Sequence, residues 1–214
     1  MYVKRRMTAN PYTITFDAPI NEAIELMREK NIKKIPVVNG EKVVGMLTHK
    51  DIQTLSVPKA TSLSVFELNY LLSKAKVSDA MTKEVITISP DVLLEEAVVL
   101  MRENRITSLA VMKENRLVGI ITESDIFDAF IELLGFRDTG SRITVEAADV
   151  PSVLAVIGEI FQSFDANITH VVVYRGSDGK SDVVIRTNTI NTDGIEKKLE
   201  EQGYKVVHVI KNEG

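Results

Sequence analysis

Apolar and polar positions along this chain fall into blocks whose period changes. Over residues 20–30 and 94–104, Ala, Ile or Val, Leu and Met recur at three- and four-residue intervals, the spacing of an amphipathic helix. Short apolar runs follow each block: Ile35-Pro36-Val37-Val38 and Leu109-Ala110-Val111-Met112, then Val43-Val44-Gly45-Met46-Leu47 and Leu117-Val118-Gly119-Ile120-Ile121. Runs of four or five bounded by turn residues predict strands. Asn39-Gly40 and Glu114-Asn115 supply the turns. A further helix is expected after Thr48 and after Thr122. Each block therefore reads β-α-β-β-α.

The two blocks are copies. A shift of 74 residues lays 7–52 on 81–126 without a gap, with 18 identities in 46 positions. They include Met7/Met81, Thr8/Thr82, Leu26-Met27-Arg28-Glu29 on Leu100-Met101-Arg102-Glu103, Val44-Gly45 on Val118-Gly119, Thr48/Thr122 and Asp51-Ile52 on Asp125-Ile126. An internal repeat sets the architecture before any local detail does. The repeats are placed at 1–60 and 77–135, joined by a connecting helix over 61–76. Val57-Pro58 ends the first repeat, Ser62-Leu63-Ser64 opens the connector, and Leu68, Leu71 and Leu72 give it one apolar face as far as about Ala75.

After Gly135 the pattern changes. Ile143–Glu146 reads as a strand and Pro151–Phe164 as a helix opened by Asp149, with Pro in its first turn. Ile168–Tyr174 is a strand, Gly176-Ser177-Asp178-Gly179 a hairpin turn and Asp182–Thr187 the return. Thr192 or Asp193 caps a helix to Glu201, Gly203 stops it, and Tyr204–Ile210 is the last strand. Residues 141–211 thus read βαββαβ, the ferredoxin-like order. The fold class is α/β (α+β): two β-α-β-β-α repeats and a ferredoxin-like domain.

Composition narrows the chemistry. The chain of 214 residues has no cysteine, which removes disulfides, thiolate metal sites and cysteine nucleophiles. A net charge of −4 argues against a broad basic face for duplex DNA, and the absence of Trp against a stacking platform for single strands. No apolar run of membrane-spanning length occurs, and MYVKRRM lacks the apolar stretch of a secretory signal, so the expected location is cytoplasmic. His49, His170 and His208 lack metal-ligand spacing. No phosphate-loop or Gly-x-Gly-x-x-Gly motif is present.

One motif occurs in both repeats: Gly45-Met46-Leu47-Thr48-His49-Lys50-Asp51 and Gly119-Ile120-Ile121-Thr122-Glu123-Ser124-Asp125. Thr-x-x-Asp ahead of an apolar helix is close to a capping box, in which Thr caps the helix and Asp reaches back to an unpaired N–H. Against that reading, both copies use Asp where Glu or Gln reaches better. The Gly also permits close backbone approach, and a helix N-terminus with a hydroxyl suits an anion. A carboxylate one turn in can accept both hydroxyls of a ribose.

On these residues each repeat resembles a CBS domain and the pair resembles a Bateman module, over about residues 1–134. The resemblance implies two pseudo-symmetric clefts that bind adenine nucleotides (AMP, ADP, ATP) or S-adenosylmethionine. It implies ribose contacts from Asp51 and Asp125, and phosphate contacts from Thr48 and Thr122. It implies hydroxyl contacts from Thr13 and Thr87, and apolar adenine contacts from Ile35, Pro36, Val37, Leu109, Ala110 and Val111. Ala110 stands where Pro is usual, which loosens the contact there. His49 and Lys50 lie in the first helical turn near the expected phosphate, as do Glu123 and Ser124 in the second copy. Lys50 attracts a phosphate and Glu123 repels one.

Residues 141–211 resemble an ACT domain. At the strand-to-helix turn Asp149-Val150-Pro151-Ser152, Ser152 replaces the Gly usual in amino-acid-binding members, which argues against an amino-acid ligand. The order CBS, CBS, ACT is similar to the acetoin utilization protein B family, implying a role in acetoin or acetate metabolism. The function expected is a non-enzymatic sensor that passes nucleotide occupancy of the CBS pair to the ACT domain and an unknown client protein. The alternatives are an enzyme subunit, or an adaptor whose clefts bind an S-adenosylmethionine-type ligand or nothing. A homodimer is expected because Phe127, Phe130, Ile131, Leu133 and Leu134 exceed what one helix side buries. No nucleic-acid or membrane partner and no metal are expected.

Overall fold

The structure is a computed structural model that describes residues 1–56, 74–176 and 179–214. Residues 61–73 of the expected connecting helix and the hairpin tip Ser177-Asp178 lie outside them. The chain divides into two compact units, Met1–Ile126 and Phe127–Gly214.

In the first unit the repeats alternate as expected. The first gives β2 (Ile14–Thr15), α1 (Ile20–Glu29), β3 (Lys34–Asn39), β4 (Lys42–Thr48) and α2 (His49–Ser56). The second gives β5 (Thr87–Ile88), α4 (Leu94–Asn104), β6 (Ser108–Lys113), β7 (Arg116–Thr122) and α5 (Glu123–Leu133). In each repeat the first strand runs parallel to the second, and the second antiparallel to the third. The first hairpin turn is Gly40-Glu41, one residue later than expected, because Asn39 still pairs with Lys42. Gly40 takes φ +61°, as Glu114 and Asn115 take φ 50° and 65° in the second hairpin, the left-handed values such two-residue turns demand.

The segments ahead of each repeat are exchanged. Short β1 (Thr8–Ala9) pairs with β7 of the second repeat, so that sheet has the order β1-β7-β6-β5. The Val3 amide donates to the Val92 carbonyl and the Leu94 amide to the Met1 carbonyl. Seventy-four residues on, the Val77 amide donates to the Ala18 carbonyl and the Ile20 amide to the Ala75 carbonyl. Thr82 and Met46 trade two backbone bonds, each 2.9 Å. The short helix α3 (Val77–Ala80) therefore belongs to the first repeat's core, where Val77 is fully buried with Ile20, Ala23, Ile35, Val37 and Leu47. Each repeat is completed by the stretch that precedes the other.

The second unit gives β8 (Gly140–Ala148), α6 (Val153–Ser163), β9 (Ile168–Arg175), β10 (Lys180–Thr187), α7 (Asp193–Glu201) and β11 (Lys205–Asn212). Its antiparallel sheet has the order β11-β8-β10-β9, the ferredoxin-like arrangement. Alternate residues Ile143, Val145, Val183 and Ile185 face Ile157, Phe161, Ile195 and Leu199 of the two helices. Here the helix start needs correction. Asp149 does not cap it: its carboxylate meets Arg175 at 3.2 Å, and Pro151-Ser152 form a turn before the helix begins at Val153. Thr192 does hold the N-cap position of α7. His170 and His208 sit on the two edge strands of this sheet, so no common ligand joins them.

Candidate functional site

The two Thr–Asp pairs have the same geometry. Asp51 Oδ2 accepts the Thr48 amide at 2.8 Å and the Thr48 hydroxyl at 2.6 Å, and the Asp51 amide donates back to Thr48 Oγ1 at 3.3 Å. For Asp125 and Thr122 the corresponding distances are 2.8, 2.7 and 3.4 Å. Each pair is a complete capping box closed by Asp. Capping and ligand binding are not exclusive here, because the box consumes only Oδ2. Among the described residues Oδ1 of each Asp takes no hydrogen bond, and the locked ring of contacts fixes its direction. The Thr hydroxyl proton is committed to Asp, so toward a ligand that oxygen acts only as an acceptor.

The motif glycines permit the close backbone approach expected of them, and the backbone that approaches is that of the exchanged segment. A methyl group on Gly45 would strike the Met81 side chain and come within 3.1 Å of the Thr82 carbonyl; on Gly119 it would strike Met7 and come within 3.1 Å of the Thr8 carbonyl. Each glycine makes room for the exchanged segment.

The exchange also decides which residues share a cleft. The cavity beside Asp51, about 220 Å³, is lined by Thr48, Lys50 and Asp51 of the first repeat and by Thr82, Glu84, Ile86, Arg105, Thr107 and Ser108 of the second. It spans the repeats. Thr13 and Thr87 are not in it: each lines a separate surface depression, with Asn10 and Arg116 or with Lys83 and Asn115. Ile35, Val37, Leu109 and Val111 are fully buried and do not line the Asp51 cleft. Pro36 and Ala110 point the other way along their strands; Ala110 packs with Met46 and Ile120 where the sheets meet. His49 is also misplaced by the sequence reading. It lines a larger groove of about 810 Å³ between α1 and α2 with Ile24, Met27, Ile32 and Ile52, whereas its neighbour Lys50 faces the Asp51 cleft.

Three residues at this cleft escape the motif. Arg105 ends α4 in a left-handed conformation, φ 54°, and brings a second cation beside Lys50. Thr107 precedes β6 and Ser108 opens it. On the Asp125 side, Lys34 occupies the repeat position of Ser108. Its ammonium donates to Thr107 Oγ1 at 2.7 Å and to the Thr107 carbonyl. Burial lowers the Lys34 pKa, and the charges of Glu123 and Asp125 partly oppose that. The signal for these residues lay in the repeat itself, where Asn31/Arg105 and Lys34/Ser108 are mismatched pairs on either side of the matched Ile32/Ile106.

Comparison with known proteins agrees with this architecture. The CBS domain profile matches residues 3–57 and 77–132, and the TTHA0829-like ACT domain profile residues 139–210. The inosine-5'-monophosphate dehydrogenase of Methanocaldococcus jannaschii is 36% identical over 141 residues, 65% of this chain and 25% of that enzyme. The chain spans about a quarter of the length of the dehydrogenases it matches. Among solved structures, a provisional acetoin utilization protein (AcuB) from Vibrio cholerae is similar at TM-score 0.53 and 27% identity, over 64% of this chain and 95% of that one. The CBS domain pair of protein MJ0100, solved with 5'-methylthioadenosine and S-adenosyl-L-methionine, is similar at TM-score 0.51 and 26% identity, over 61% of this chain and 95% of that one. Among the described residues no helix is long and apolar enough to cross a membrane, and no cluster of His, Asp or Glu has metal-site geometry.

Proposed function

The chain belongs to the CBS-domain family, as a tandem pair followed by an ACT domain of the TTHA0829-like type, and from that we propose that it is a non-enzymatic sensor of an adenosine ligand. The observation that carries this reading is the paired capping box, which in both repeats holds an Asp with one carboxylate oxygen unspent. Two ribose hydroxyls can donate to that oxygen. In the Asp51 cleft Lys50 and Arg105 supply charge for a phosphate. About 220 Å³ is below the roughly 300–1,000 Å³ of small-molecule pockets, so a nucleotide would seat its nucleoside there and extend its phosphates toward solvent past the two cations. The adenosine ligands of the MJ0100 pair support the same class for this chain.

The ACT domain is the output element of this reading, not an amino-acid receptor: Ser152 is exposed at the turn where a ligand would approach. A role in acetoin or acetate metabolism is supported only by the likeness to the Vibrio cholerae protein. Exposed Phe127, Phe130, Leu133 and Leu134 on and just after α5 support a homodimer, which light scattering at micromolar protein would show as twice the chain mass. The deciding experiment is native mass spectrometry of freshly purified protein followed by calorimetry with adenosine, AMP, ATP and S-adenosylmethionine. Binding of at least one, with no turnover by chromatography, is the expected result. No binding of any, or product formation, refutes the reading.

A further inference from the structure

Lys34 is bonded to one half of the candidate site and feels the charge of the other. It lies at the start of β3, in the position related by the repeat to Ser108, yet its ammonium is bonded to Thr107, which lines the Asp51 cleft. The Thr107 carbonyl also accepts the amide of Glu123, the first residue of α5, at 3.2 Å. One turn along that helix stands Asp125, whose capping box is a copy of the one at Asp51. Glu123 and Asp125 both act on the charge of Lys34. A single cation is thus bonded to the hydroxyl that borders the first cleft and lies within electrostatic reach of the second carboxylate.

We propose that Lys34 is the phosphate-selecting residue of the Asp125 site and that its bond to Thr107 holds it back, so that occupation of one site is felt at the other. The proposal rests on the reading of both Thr–Asp pairs as adenosine sites. An ammonium has three donors. Two are spent on Thr107, and the acceptors offered there are a neutral hydroxyl and a carbonyl. A phosphate oxygen is a better partner, because charge-assisted bonds are roughly twice as strong as bonds to neutral acceptors. A ligand with a phosphate at Asp125 thus draws Lys34 toward itself and away from Thr107. Thr107 then loses the contact that orients its hydroxyl in the Asp51 cleft. An adenosine without phosphate offers nothing that competes for Lys34 and leaves Thr107 in place. Linkage makes the effect reciprocal: a ligand at Asp51 that needs Thr107 oriented weakens phosphate capture at Asp125.

The test isolates the Asp125 site in the full chain with Asp51→Ala and titrates AMP and adenosine by calorimetry. Lys34→Met, which keeps the length of the stem, should weaken AMP by at least about five-fold, the lower end of coupling between sites, and leave adenosine unchanged. Thr107→Val, which removes only the competing hydroxyl, should tighten AMP and leave adenosine unchanged. Adding Lys34→Met to Thr107→Val should cancel that gain. A merely structural Lys34–Thr107 tie would make both single variants weaken both probes. Weaker or unchanged AMP binding in Thr107→Val, or an unchanged AMP-to-adenosine ratio in Lys34→Met, overturns the inference while leaving the adenosine sites standing. Failure of Asp51→Ala to bind either probe overturns the Asp125 site and this inference together, and Lys34→Met in the otherwise unaltered chain then reports on the Asp51 cleft alone.

Discussion

The Asp51 and Asp125 sites share a frame but differ in charge. Both have a Thr–Asp box with the same three hydrogen bonds to within 0.1 Å, and both have a glycine crossed by a Met-Thr segment from ahead of the other repeat. Around that frame the residues diverge. Lys50, Arg105 and Ser108 stand on the Asp51 side; their repeat counterparts are Ser124, Asn31 and Lys34. The duplicated part is what the backbone needs, namely a capped helix and a crossing point. The part that diverged lines the cavity beside Asp51. A lesson follows for repeats in general: identities between copies mark the shared frame, and mismatches beside them are where two otherwise equal clefts differ in charge.

The largest expected effect tests whether the shared frame binds anything. Asp51→Ala should weaken adenosine-nucleotide binding by about 1.5–3 kcal/mol, the scale of hydrogen bonds to a charged group, and Asp125→Ala should do the same at its own site. Each change also removes the acceptor that closes the capping box, at a stability cost of about 0.5–1.5 kcal/mol. Asp51→Asn keeps an acceptor for the box while removing the charge, and it separates the two effects. Unchanged calorimetric affinity in the Asp51→Ala, Asp125→Ala double variant would end the ribose assignment.

Next comes the crossing point. Gly45→Ala and Gly119→Ala each place a methyl group against a methionine side chain and 3.1 Å from a carbonyl oxygen. Methionine can move, but the carbonyls are fixed by the exchanged strands. Overpacking of this kind costs about 1–3 kcal/mol, and urea denaturation should show similar losses for both. A loss at one glycine only would mean that the exchange matters to one repeat and not the other.

A smaller effect probes the divergent charges. With Lys50 and Arg105 both at the Asp51 cleft, that site should gain more from a phosphate than the Asp125 site, where Lys34 is tied to Thr107 and Glu123 stands close. A unit charge pair at 4 Å is worth about 1 kcal/mol in water, and salt screens it. Calorimetry with ATP and adenosine on Asp125→Ala and on Asp51→Ala should show the larger ATP preference in the former. Lys50→Met should shrink it. Equal preferences, or a reversed order, break the asymmetry.

Much of this was legible in the chain. The period of the apolar residues gives the helices and strands of both repeats, and the 74-residue shift gives their equivalence. The βαββαβ order follows from its turns and caps, apart from the start of α6, where Asp149 has the residue type of a cap but pairs with Arg175 instead. The exchange was not legible, because hydrophobic pattern says which face of a strand is buried and not which partner buries it. Met7-Thr8 and Met81-Thr82 match each other in sequence whether or not they cross over. For that reason the contacts from Ile35, Val37, Thr13 and Thr87 could not be placed in advance, while Arg105, Thr107 and Lys34 went unnoticed. His49 and Lys50 are neighbours on a helix, about 100° apart around its axis, so only one of them can face the cleft.

The smallest expected effect is in the alkaline pH dependence of Lys34, which reports directly on how the Asp125 side differs from the Asp51 side. Burial is the larger influence on this ammonium and pulls its pKa below the ordinary lysine value of 10.5; Glu123, then Asp125, push it back up without winning. The folded chain therefore releases this proton at lower pH than the unfolded chain does. Between the folded pKa and 10.5 the unfolded state binds more protons, so stability rises with pH across that window. Below the window both states are charged and the burial of the ammonium is a constant cost; above it both are neutral and the cost is gone. Lys34→Met has no such proton. The stability of the unaltered chain relative to Lys34→Met should accordingly climb as pH is raised toward 10.5, read from urea midpoints taken at intervals from about pH 8 upward. Ser108→Lys, placed at the equivalent position on the other side, meets Lys50 and Arg105 as well as Asp51 and Glu84, and should show a steeper climb because added cations disfavour its charge. A flat difference for Lys34→Met would mean that Glu123 and Asp125 cancel burial, and one that falls with pH that they outweigh it and hold Lys34 as an ordinary ion pair.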